Sequence, residues 1–370
     1  YNIYGGDEKA TVGRYWVKGI TTTRCPDEES IPTPPTGLPD EMPYKTRRGG
    51  KCTVIVQVSA QIGPVSGSAS ETAGHVFGAG KGVNPQYVYG YGTTIPKNTW
   101  SRRMVDYDQD KHISGEGGNE GQTWDYYEDD HNYVWEYFVD TAEKKGKDKY
   151  LEFLQSLALV TGTDVTIGGG IVLGNVYGGS ESGFVQDDTD VKIQGSCVVG
   201  VTGTTTYGNV FGGGKGLQEF AEAGKVKGNT EVTISGGTAY GSVFGGGELG
   251  DVGIIDKTDI KNYKWIDSNG DYNGTGVCKV TVSGGKVGPD GNLNHEIGNV
   301  FGAGKGMGDT FWCEKAMVYD TNVSIVNGTV NGNVYGGGEV GRVENDTKVT
   351  VGRIYEDAEG TGTGTPDIKG

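Results

Sequence analysis

Apolar residues two apart, closed off by glycine, recur through this chain: TDVTIGGG from Thr163, TDVKIQGS from Thr189, TEVTISGG from Thr230, CKVTVSGG from Cys278 and TNVSIVNG from Thr321. β-Branched residues alternating with polar ones over so short a run predict half-buried strands. Val165/Ile167, Val191/Ile193, Val232/Ile234, Val280/Val282 and Val323/Ile325 would face inward. A second inward row is predicted at Val172, Val198, Ala239, Val287 and Val330, and a third at Val176, Val210, Val243, Val300 and Val334.

The third row steps by 34, 33, 57 and 34 residues, which gives a repeat of about 33 to 34 residues with one insertion. A single repeat has too little apolar surface to fold alone, and equivalent rows form a continuous core only when repeats stack. The fold expected is all-β: a parallel β-solenoid, right-handed by the crossover rule, with one partly helical insert.

Downstream of each strand comes a glycine-rich run: NIYGGDE from Asn2, HVFGAGKG from His75, NVYGGSESG from Asn175, NVFGGGKG from Asn209, SVFGGGELG from Ser242, NVFGAGKG from Asn299 and NVYGGGEVG from Asn333. Four residues past its aromatic the charge alternates: Glu8, Lys81, Glu181, Lys215, Glu248, Lys305, Glu339. With one repeat per coil every lysine would lie between two glutamates, whereas two repeats per coil would stack like on like. The alternation therefore favours one repeat per coil, and its role is structural, opposing a slip in register. Two further ladders follow, an asparagine row interrupted by His75 and Ser242, and an aromatic row of Tyr4, Phe77, Tyr177, Phe211, Phe244, Phe301 and Tyr335. Of the 69 glycines, 23 cluster in these runs, where a corner needs positive φ or close backbone approach.

The repeats partition the chain into 1–8 (the end of a coil), 9–50 (a proline-rich insert), 51–82 (a coil), 83–162 (an aromatic, acidic insert) and 163–250 (three coils). There follow 251–277 (an insert), 278–341 (two coils) and 342–370 (the start of another). Because both ends fall inside the pattern, the chain reads as a segment of a longer protein, and further coils of the same parent chain are expected partners.

The GNVYGGG-type pattern resembles the glycine-rich repeats of large secreted or surface-exposed proteins of Bacteroidota, over all of the chain except the inserts. That resemblance implies an extracellular, cell-surface adhesin or fibre, and Asp140, Thr141 and Ala142 resemble that group's O-glycosylation acceptor. It brings no catalytic motif.

Recognition would then belong to the inserts, since loops on a rigid scaffold commonly carry it. Residues 83–162 hold 14 of the 36 aromatics. These form either a small core or, through some of Trp124, Tyr126, Tyr127, Tyr133 and Trp135, a platform for glycan rings or a host or bacterial surface protein. Tyr150, Leu154, Leu157 and Ala158 share one face of a predicted helix. A formal charge of −16 is the wrong sign for nucleic acid, and no apolar run is long enough to span a membrane.

Calcium is the one cofactor with any signal. Asp106, Asp108 and Asp110 open like a calcium loop but lack its glycine and closing glutamate. Asp267, Asn269 and Asp271 suit a hairpin turn equally well. Cys25 and Cys52 could staple the proline-rich insert or remain free thiols. A surface adhesin, a purely structural stalk and a β-helix polysaccharide lyase or hydrolase are the function classes left. The last would need a unique carboxylate cluster, and Asp187, Asp188 and Asp190 read as solvated loop charge.

Overall fold

The computed structural model describes residues 1–8, 12, 50–64, 69–82, 99–104, 124–128, 133–138, 158–203, 206–218, 223–257, 263–267, 269–291, 296–307, 315–352 and 366–369. The chain divides into one unit of residues 1–12, 50–82 and 158–370 and a second of 13–49 and 83–157. Among the described residues there is no helix, and the first unit consists of parallel sheets.

Seven two-residue strands, Ile3–Tyr4, Val76–Phe77, Val176–Tyr177, Val210–Phe211, Val243–Phe244, Val300–Phe301 and Val334–Tyr335, lie side by side in chain order. Each valine (isoleucine in the first) pairs with the next, and each aromatic with the next. No repeat is skipped. The long strands Cys52–Val56, Thr163–Ile167, Thr189–Ile193, Thr230–Ala239, Val277–Val287, Asp320–Val330 and Thr347–Val351 pair in the same order, also parallel. Their period-2 pattern puts the valines and isoleucines inside, where Val191, Ile193, Val232, Ile234, Val280, Val282, Val323 and Ile325 are fully buried. Fully burying such a side chain stabilises by about 1.5 to 3 kcal/mol.

The second inward row needs one correction. Val199, not Val198, pairs with Val172 and Ala239 and is buried, while Val198 faces outward with Ile171 and Thr238. The turn after Ile193 is one residue longer than its counterparts, and a one-residue shift flips a side chain to the other face. Ile62 pairs with Val172 across a turn of the same longer kind.

A further row closes the core. Val160, Val185, Val226 and Val252 form single parallel bridges in succession, as do Val318 and Val343, and the amide of Val252 donates to the carbonyl of Met317 at 2.9 Å. These valines pack with Cys52, Ala79, Cys278 and Ala303.

In the second unit, Tyr133–Phe138 lies between Thr99–Met104 and Trp124–Glu128 in an antiparallel sheet. Of the helix predicted through Tyr150, Leu154, Leu157 and Ala158, residues 150–157 lie outside the described residues. Ala158, the one residue described, is buried in a turn at φ 52° and not in a helix, because a positive φ is incompatible with a right-handed helix.

Candidate functional site

Four ladders run along the first unit, and each solves a different problem of stacking one repeat on the next. The rings from Tyr4 to Tyr335 stack at 4.8 to 5.0 Å with interplanar angles of 5 to 11°, a geometry that contributes about 0.5 to 1.5 kcal/mol per pair beyond burial.

Next to the rings sits the first glycine of each run. At Gly178, a Cβ would stand under 3.0 Å from the carbonyl oxygen of Gly212, and at Gly212 from that of Gly245. Neither glycine has positive φ, so close approach between repeats is what requires glycine here. The threonine heading each long strand donates to that glycine carbonyl: Thr163 to Gly178, Thr189 to Gly212, Thr230 to Gly245 and Thr321 to Gly336, all at 2.6 Å. Cys52 and Cys278 replace threonine in the two repeats whose run reads GAG. Both are buried free thiols, pushed up by burial to about 11 and about 12, so the free-thiol alternative for Cys52 is the one the structure contains.

The asparagine row works through the backbone. Asn2 Oδ1 accepts from the amide of His75, Asn175 Oδ1 from Asn209, Asn209 Oδ1 from Ser242 and Asn299 Oδ1 from Asn333, at 2.7 to 3.0 Å. Ser242 Oγ accepts from Asn299 at 3.1 Å and His75 Nδ1 from Asn175 at 3.0 Å, so both substitutes keep an acceptor in the row. The Nε2 of His75 is 2.7 Å from the carbonyl of Ser70. Nδ1 must accept, so Nε2 carries the proton and the ring is neutral. Burial lowers its pKa, with Lys215 adding to the effect and Ser70, Glu248 and Glu181 opposing it.

The charge ladder is directional. Lys81 pairs with Glu8 at 3.0 Å, Lys215 with Glu181 at 3.6 Å and Lys305 with Glu248 at 3.3 Å, each lysine reaching the glutamate of the repeat before it. Tyrosines reach further: Tyr4 donates to Glu181 at 2.5 Å and Tyr177 to Glu248 at 2.6 Å, each across an intervening lysine repeat. Burial, with the neighbouring carboxylates, raises both phenols well above the ordinary range. Phe244 has no hydroxyl to offer Glu339, whose pKa burial raises and Lys305 opposes.

The same two-repeat period sets the loops. Between the second inward row and the asparagine row, lysine repeats carry residues 63–74, 200–208 and 288–298. Glutamate repeats carry only 173–174, 240–241 and 331–332. Described contacts bridge successive lysine repeats: Lys215 Nζ donates to the carbonyl of Glu71 at 3.3 Å, and His75 meets Tyr207 edge-on at 5.5 Å.

Of the predicted platform, only the backbone register is described. Tyr127 lies opposite Trp135, Tyr126 opposite Glu136, Trp124 opposite Phe138 and Tyr133 opposite Met104. Positions 127, 133 and 135 thus share one parity of the pleat and 124 and 126 the other. Asp106, Asp108 and Asp110 lie outside the described residues. Asp267, Asn269 and Asp271 form a turn in which Asp267 Oδ1 accepts from the amides of Asn269 at 2.8 Å and Asp271 at 3.0 Å. Among the described residues no group of three His, Cys, Asp or Glu side chains converges to hold a metal.

The 251–277 insert packs through Tyr263 and Trp265 onto Met317, with Tyr272 stacked on Tyr319 at 4.1 Å. Its buried Asp251 pairs with Lys257 and accepts from the amide of Met317. Asp188 accepts from the amide of Asn229, and Asp190 pairs with Lys192. Sequence reasoning missed the tyrosine-to-glutamate bonds, although tyrosine appears in this row only in glutamate repeats.

The chain matches no protein-family model, no curated protein and no solved structure. What the geometry defines, among the described residues, is an all-β architecture whose first unit is built of parallel sheets in which seven repeats pair neighbour to neighbour.

Proposed function

We propose that this chain is a parallel β-solenoid with one repeat per coil, forming a rigid segment of an extracellular, cell-surface adhesin or fibre whose inserts bind glycan or protein. The observation carrying this reading is the unbroken order of seven repeats with a constant interior. The large departures from that order, 13–49 and 83–157, leave after Val12 and Gly82 and return at Gly50 and Ala158. A scaffold that repeats itself can hold a spacing, and recognition needs something unique, which only the inserts supply. The GNVYGGG-type resemblance supports the surface location, and the negative charge argues against nucleic acid. No helix among the described residues is long and apolar enough to cross a membrane.

The test is binding of the purified chain to a glycan array and to mucin-coated surfaces, beside a form with 83–157 replaced by a short turn. Binding lost with the insert supports the adhesin. Absence of binding by either form replaces it with a purely structural stalk, and turnover of a polysaccharide with the lyase or hydrolase.

A further inference from the structure

The insert of residues 251–277 uses most of its aromatic surface to hold itself against the stack. Trp265 is 2% exposed, and its indole Nε1 donates to the carbonyl of Val252 at 3.3 Å. The insert leaves and rejoins the stack at Gly253 and Gly276, where a Cβ would stand 2.4 and 2.6 Å from that nitrogen. Tyr263 is buried with Trp265 and Met317. Tyr272 takes no part in this packing. It is 42% exposed and lies flat on Tyr319, with ring centroids 4.1 Å apart and planes 17° from parallel. Of Thr161, Gln186, Lys227, Gly253, Tyr319 and Glu344, which follow the valines of the row closing the core, the aromatic one is the residue on which Tyr272 stacks.

The ring is also held in place from its own turn. Its hydroxyl donates to the carbonyl of Thr275 at 2.9 Å. Asn273 Nδ2 donates to the carbonyl of Ile254, and Thr275 Oγ1 accepts from the amide of Ile254, both at 2.8 Å, while the same Oγ1 donates to Asn273 Oδ1 at 2.7 Å. Burial, and after it the Asp320 carboxylate, pushes the phenol up to about 12, so it stays a neutral donor. Asp320 accepts from the amide of Asp346 and from Asn345 Nδ2 through Oδ1, and a carboxylate has capacity for further donors on its second oxygen.

We infer that Tyr272 is a binding platform for a sugar ring, with the C–H face of a pyranose packed on the tyrosine and the sugar hydroxyls donating to Asp320 and the polar turn. The negative face of an aromatic ring attracts C–H groups, and a ring already stacked and hydrogen-bonded loses little freedom when a ligand settles on it. Asn273 and Thr275 supply an amide and a hydroxyl beside the carboxylate of Asp320, a mixture suited to neutral hydroxyls rather than to a cation. The inference rests on the reading that the inserts bind glycan, and it assigns that role to one insert and one ring.

The test is an array of glycans, with a lysine-rich peptide printed beside them, probed with the full chain, with Tyr272→Ala and with Tyr272→Phe. Phenylalanine keeps the stacking face and gives up only the bond to Thr275. The expected result is a set of glycans whose affinity falls by about tenfold or more in Tyr272→Ala and by about twofold or less in Tyr272→Phe. An equal fall in both variants makes the tyrosine a brace for its turn and overturns the platform. Glycans retained equally by the full chain and Tyr272→Ala overturn this site and leave the adhesin reading in place. No glycan retained by any form overturns both, and retention of the peptide alone, lost in Tyr272→Ala, replaces the sugar by a cationic partner.

Discussion

The glycine row and the charge row lie a few residues apart in every repeat, yet they obey opposite rules. Gly78, Gly178, Gly212, Gly245 and Gly302 are identical because each lacks room for a Cβ against the next repeat. The charged row changes sign at every step, and its pairs stand partly in solvent, from Lys215 and Glu181 at 16 and 18% to Lys81 and Glu8 at 47 and 64% exposure. Identity in the interior makes the repeats interchangeable, and alternation outside makes neighbours distinguishable. Most of the stability should therefore reside in the first row and most of the specificity of order in the second.

The comparison breaks most sharply at a glycine. Gly212→Ala should cost about 3 kcal/mol or more, because the clash is with a backbone carbonyl that cannot swing away. Denaturant unfolding would show a lower midpoint, and an unchanged midpoint would remove close approach as the reason for glycine. Thr230→Val keeps the shape and removes the donor to Gly245, leaving a buried carbonyl unpaired. A loss of about 1 to 3 kcal/mol is expected, read by the same measurement against Thr230→Ser, which keeps the hydroxyl.

His75 offers a pH handle on the interior row. Burial holds its folded-state pKa below the ordinary value, so its contribution is complete above about pH 6.5 and is lost as pH falls through that value, where the unfolded chain takes up the proton first. Between pH 7 and 5 the chain should lose more stability than His75→Asn does, since asparagine keeps the acceptor without titrating. Parallel pH profiles of the two forms would contradict this.

The smallest effect belongs outside. Lys215→Glu should cost about 1 kcal/mol and become milder in high salt, measured as a shift in unfolding midpoint at two ionic strengths. A cost matching Gly212→Ala would erase the distinction between the rows.

Much of this architecture was legible because repetition amplifies a weak signal. Val165/Ile167 alone is an ambiguous apolar run, but five copies with glycine behind and threonine ahead in four of them, cysteine in the fifth, are not. The fourth row was missed because Val160, Val185, Val226, Val252, Val318 and Val343 are single valines with no alternation beside them. Five of the six nonetheless stand three or four residues before the threonine of the next strand, a fixed offset that could have identified them. Val198 misled because one extra turn residue changes a parity without changing the motif. The antiparallel pairing of Thr99–Met104, Tyr133–Phe138 and Trp124–Glu128 occurs once, so nothing in the sequence repeats to reveal it. Binding residues suffer the same difficulty, since a recognition surface is by nature unique.

One repeat per layer is tested most directly by a distance along the stack. Thr166 and Thr350 occupy equivalent outward positions five repeats apart, linked register by register through Lys192, Thr233, Thr281 and Ser324. Spin labels attached at these two sites through keto amino acids, leaving the native thiols untouched, would report their separation by pulsed dipolar spectroscopy. Stacking of successive repeats at ~4.8 Å predicts a main distance near about 24 Å, whereas about half that value, or a broad distribution with no dominant peak, would contradict it.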